Sequence, residues 1–96
     1  MVDDLQVTLS TPVVQPGSPV TVEVRVVGDS GSVARVEAAA REYGWYGTFS
    51  RDPDGVFRLR TTVPWEAYPG TYRVAVYATD GAGRVLKEVT VPVRVA

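Results

Sequence analysis

The chain has 96 residues, 45% of them hydrophobic, with ten basic and eleven acidic side chains and a formal net charge of −1. That suffices for one packed domain spanning residues 1–96 and leaves no electrostatic footprint for nucleic acid. Cysteine and histidine are both absent, which excludes disulfides, thiol chemistry, the commonest general base and a simple histidine pH switch.

A first strand is expected from Leu5 to Ser10, with Leu5, Val7 and Leu9 on one face. Pro12 and the pair Pro16-Gly17 then mark a loop. Val20 to Val27 alternates most cleanly, with Val20, Val22, Val24 and Val26 inward and Thr21, Glu23 and Arg25 outward. After the turn cluster Gly28–Ser32, a third strand runs from about Val33 to Glu42, with Val36, Ala38 and Ala40 inward and Ala39 outward. Its alanines, arginines and glutamates favour helix, but the period of two and the neighbouring strands favour β.

Gly44 ends that strand, and Trp45 to Ser50 forms a fourth. Arg51-Asp52-Pro53-Asp54-Gly55 has the proline and glycine of a hairpin turn. A fifth strand, Val56 to Val63, turns Phe57 and Leu59 inward and Arg58 and Arg60 outward, where Glu23 is placed to pair with either arginine. The corner Pro64–Gly70 leads into a sixth strand with Tyr72, Val74, Val76 and Ala78 on one face. A turn at Asp80–Gly83 leads to the seventh, Val85–Val95. Pro92 has no N–H for the ladder, so its stretch of the last strand is expected at an edge. Seven strands with turns every 8–12 residues are the pattern of an all-β, seven-strand antiparallel sandwich.

The corner carries a specific resemblance. Tyr68-Pro69-Gly70-Thr71-Tyr72, the alternating strand after it and the Asp80-Gly81-Ala82-Gly83 turn are similar to the tyrosine corner of immunoglobulin-like domains. They resemble above all the immunoglobulin-like modules strung along bacterial surface and secreted proteins. Gly70 and Tyr72 would be its structural residues. The chain departs from antibody domains in having Tyr68 for the corner aspartate, Val74 for the cysteine and no tryptophan on the third strand. The resemblance implies an immunoglobulin-like fold and a spacer, adhesion or accessory module. It implies no activity, because unrelated roles share that fold.

Alternating strands give the sandwich two poles. One gathers Asp29, Asp52, Asp54 and Asp80 on turns, raw material for a calcium site of six to eight oxygens. Aspartate also forms turns by capping backbone amides, Arg51 and Arg84 offset the charge, and no spaced ligand motif is present. The opposite pole gathers Tyr43, Trp45, Tyr46, Trp65 and Tyr68, five of the nine aromatics. Three readings stay open: rings capping the core, a contact for a neighbouring domain or another protein, and a platform for carbohydrate. The outer face of the third, sixth and seventh strands is a third surface, a small apolar patch of Ala39, Ala75, Tyr77, Leu86 and Pro92.

No nucleophile–base pair is available, Lys87 is the only lysine, and a short sandwich is expected to have little room for the cleft a carboxylate pair needs. No glycine-rich phosphate cradle precedes a helix, and no cofactor is implied. Met1–Asp4 has no signal-peptide character and no apolar run reaches membrane-spanning length. Of a cytoplasmic protein and one domain of a longer exported one, the second is the expectation, with an extracellular or cell-surface location.

Overall fold

The computed structural model describes residues 1–96 and contains nine strands: β1 (Val2–Leu9), β2 (Val13–Val14), β3 (Pro19–Gly28), β4 (Arg35–Ala40), β5 (Trp45–Thr48), β6 (Ser50–Arg51), β7 (Phe57–Thr62), β8 (Gly70–Thr79) and β9 (Val85–Val95). They form two sheets, ordered β1-β3-β7-β6 and β2-β9-β8-β4-β5. Every pairing is antiparallel except β2 with β9. Single 310 turns at Ser30–Ser32 and Arg41–Tyr43 are the only helical segments.

The expected seven strands become nine because at two places a short segment joins the sheet opposite to that of the strand before it. Beyond β1 it passes Ser10-Thr11-Pro12 and lays Val13 and Val14 parallel to Arg94 and Val95. The Ala96 amide then donates to the Val14 carbonyl at 2.9 Å. The stretch expected as one strand, Trp45–Ser50, divides at Phe49: β5 pairs with β4, whereas β6 pairs with β7. Phe49 donates its amide to the Val36 carbonyl and is buried between the sheets. One aromatic anchor thus fixes the crossover. The third strand is also shorter than expected, because the chain tightens into a 310 turn at Arg41.

Period two holds along most strands, with two departures on the β4–β8–β9 face. Ala39 and Ala75 face each other across β4 and β8 and are buried. They form the floor of a shallow depression bordered by Arg41, Arg73 and Thr90. Long side chains overhang small ones here, so the expected exposed apolar patch is closed at its centre. Leu86 is the second departure. Thr79 pairs with Val85 and Ala78 with Lys87, leaving Leu86 as an extra residue. This bulge reverses its side, and Leu86 packs against the core. Pro92 lies opposite Arg73 on a stretch of β9 that β2 does not reach, an edge as proline requires.

The interior is filled unevenly. In the half nearest the Asp80 turn, Leu5, Val24, Val36, Phe49, Phe57 and Val76 form a buried cluster. At the opposite end Val14, Val20, Val63 and Val95 form a smaller one. Between them the inward-facing Val22, Leu59, Tyr72, Val74, Val91 and Val93 are only half-buried. The chain has twenty valines, four leucines and no isoleucine. Sheets about 10 Å apart need longer side chains than valine and alanine to meet at mid-plane. Two buried phenylalanines fill one half, whereas the aromatics of the other, Trp45 and Tyr72, are only half-buried.

Candidate functional site: an aromatic pole and an open apolar cleft

The acidic pole is spoken for by its own cations and amides. Arg58 donates to Asp52 Oδ2 at 2.7 Å, to Asp54 Oδ2 at 2.8 Å and to Glu23 Oε1 at 3.2 Å. Arg60 adds a contact to Asp52 at 3.1 Å. These hydrogen bonds, those from Arg58 first, hold the carboxyls of Asp52 and Asp54 below the usual carboxylate range. The same partners push the Arg58 guanidinium further above its already high value. Asp80 accepts from the amides of Ala82 and Arg84, each at 2.9 Å, and so ties its own turn. Asp29 lies 3.9 Å from the N-terminal ammonium. The structure brings Asp52 and Asp54 together around a cation, leaves Asp29 and Asp80 apart from them, and nowhere gathers three acidic side chains fit for a metal ion.

At the other pole the corner before β8 is built from several contacts. Tyr72 donates its hydroxyl to the Tyr68 carbonyl, the bond of a tyrosine corner. Its ring meets that of Tyr43 edge-on, with centroids 4.7 Å apart. Gly17 donates to the Val63 carbonyl at 2.8 Å, and the Trp65 indole lies directly against it. A Cβ on Gly17 would stand 2.4 Å from Trp65 Cε2, and φ there is +78°. Only glycine fits beneath that ring.

Exposure divides the five aromatics. Trp65 and Tyr68 are 79% and 76% accessible, and Tyr46 and Tyr43 are also exposed. Trp45 is half-buried and packs against the core. Trp45 and Tyr46 are neighbours on β5 and therefore face opposite sides of the sheet. Tyr46 pairs with Ala39 on the outer face and stands apart from the corner. At the pole Tyr43 and Tyr72 are the rings that meet, Trp65 stands over Gly17, and Tyr68 is held through its backbone carbonyl by Tyr72.

Beneath this pole the two sheets part. A cleft of about 390 Å³ runs between them, and 18 of its 23 lining residues are hydrophobic. Two of its lining residues, Leu59 and Trp45, close tightly on Gly47, where an added Cβ would meet Leu59 Cδ2 at 2.7 Å. Its floor is the small valine cluster. Its opening follows from the crossover at Phe49. Because β6 covers only Phe57 and Arg58 of β7, the edge of β7 from Leu59 onward has no strand beside it. Tyr43, Gly44, Pro64, Glu66 and Ala67 border the gap.

A sealed empty volume of 390 Å³, at about 24 cal/mol per Å³, would cost on the order of 9 kcal/mol. That rivals the whole net stability of a domain, so an open mouth is the physically tenable form. A sandwich of so few residues is expected to have little room for a cleft. The expectation fails because a strand covering β7 is missing and the inward residues are short. The available signal was volume: valine and alanine hold most of the inward positions. Glu66 is the single charged residue of the lining, so no two carboxylates face each other across it.

No protein-family model and no curated protein matches the sequence. Solved structures do. A mutant of the SrpA adhesin from Streptococcus sanguinis aligns with a TM-score of 0.63 at 20% identity, over 98% of this chain and 59% of that one. Fibronectin(III)-like modules of CbhA from Clostridium thermocellum align at 0.59 and 22%, over 95% and 46%. The sandwich is immunoglobulin-like. An engineered protein aligns at 0.64 and 24%, over 100% of this chain and 21% of that one. The chain thus spans from about a fifth to three-fifths of the longer chains that it matches. At these identities the likeness concerns the fold.

Proposed function

We propose that this chain is a non-catalytic interaction module of a larger exported bacterial protein, and that its aromatic pole is the contact face for a neighbouring domain or a partner protein. One observation carries the reading: Trp65, seated on Gly17, holds its indole 79% accessible. A large ring fixed on a rigid corner buries much area on contact and loses little entropy in doing so. Tyr68 beside it is exposed to the same degree, and Tyr72 pins its backbone. The similar structures, an adhesin and modules of a multi-part protein, support the same class of role and a surface or secreted location. The mechanism is rigid display of a preformed face.

Iodide quenching of tryptophan fluorescence tests it, followed by a panel of soluble polysaccharides and by sedimentation. Trp65 is expected to quench fully and Trp45 weakly, and no polysaccharide is expected to protect Trp65. Protection by a polysaccharide would transfer the face to carbohydrate recognition by an accessory module. If Trp65→Ala with Tyr68→Ala leaves folding, self-association and all binding by the longer protein unchanged, the contact-face reading is wrong.

A further inference from the structure

The cleft is a different surface from the exposed rings, and its chemistry points to a different guest. Its volume of about 390 Å³ falls at the lower end of the range of small-molecule sites, roughly 300–1,000 Å³. It is a slot between two sheets, walled by short aliphatic side chains from β3, β7, β8 and β9. A lining dominated by aliphatic side chains favours an apolar chain over a polar ring system, whose polar groups would lose their hydration there. The polar side chains of the lining are few, among them Thr61, Thr62 and Glu66. Glu66 is the one charged side chain among the lining residues; no arginine or lysine is among them. Tyr43 and Tyr72, packed edge to face at 4.7 Å, also border the cavity. A carboxylate with no basic residue in the same lining attracts a cation by charge and repels an anion, and an aromatic face in that lining also favours a cation.

We propose that the inter-sheet cleft binds an amphiphile with a single aliphatic chain and a cationic head, the chain lying between Val74, Val91 and Val93 on one side and Val22 and Leu59 on the other. The head sits at the mouth beside Glu66 and Tyr43. The lining and its charge, not the shape alone, select this guest: a fatty carboxylate of the same length would place its charge against Glu66. This inference stands apart from the contact-face reading, since Trp65 and Tyr68 do not line the cleft.

The test uses Trp65→Phe, which leaves Trp45 on the cleft wall as sole reporter. It is titrated with dodecyltrimethylammonium and with dodecanoate, both well below their micellar concentrations. A saturable Trp45 signal with the cation is expected, and weaker binding of dodecanoate by roughly tenfold. Ala40→Leu, which fills the slot, should abolish the signal while the far-ultraviolet dichroism stays native. Glu66→Gln, on an exposed corner, should bring the two affinities together without changing the melting temperature. The inference is overturned if the cation gives no saturable signal, if dodecanoate binds as tightly as the cation, or if Ala40→Leu binds unchanged. Trp65→Ala with Tyr68→Ala should leave amphiphile binding intact, so failure here and failure of the contact face are separate results.

Discussion

Filling the cleft should stabilise the protein, the reverse of what adding bulk to a native core does. Val74, Val91 and Val93 line the cleft and are only half-buried. Changing all three to isoleucine adds three methylenes, each worth about 0.8 kcal/mol when fully removed from water. At a half-covered site the triple variant should gain about 1–2 kcal/mol, which for a domain of this size raises the melting temperature by roughly 5–15 °C. The control is Val24→Ile or Val36→Ile. Both residues have 0% accessibility, and the added methylene should cost about 1–3 kcal/mol through overpacking. Urea denaturation and calorimetry of the four proteins measure both effects. A triple variant destabilised as much as the controls would mean that the sheets close on each other, and the argument from short side chains would be wrong.

Other consequences can be measured directly. Phe49→Ala removes the buried anchor of the crossover and should cost about 3–5 kcal/mol in denaturant unfolding, among the largest single effects in the chain. Tyr72→Phe keeps the ring and deletes the bond to the Tyr68 carbonyl, a loss of about 0.5–1.5 kcal/mol with no change of fold. Asp52 and Asp54 have depressed carboxyl pKa values in the folded protein because of Arg58. The unfolded chain therefore binds more protons as the pH falls below about 4, and the stability these groups contribute is present above that pH and lost beneath it. Arg58→Met should flatten this acid-side slope in melts taken from pH 5 downward; an unchanged slope would remove the network from the account. Gly17→Ala should destabilise the corner and shift Trp65 emission, because the new Cβ would overlap the indole at a positive φ.

The β architecture was readable along the chain because period two needs only neighbours. Strands β3, β8 and β9 fall almost where Val20–Val27, Tyr72–Thr79 and Val85–Val95 predicted, and Pro92 announced its own edge. The sequence by itself also determined the Tyr68–Tyr72 corner and that Glu23 meets Arg58 or Arg60, since both rest on local turns or on one antiparallel register; the structure pairs it with Arg58. Tertiary structure decided the rest. That Phe49 carries the chain from one sheet to the other, that Leu86 faces inward, and that Ala39 and Ala75 lie under arginine stems depend on which strands become neighbours. The same holds for Asp52 and Asp54, whose fate was settled by the reach of Arg58. The cleft is the clearest instance. Valine and alanine mark a position as inward without saying what stands opposite, and only the distance between two packed sheets turns a run of short side chains into a space.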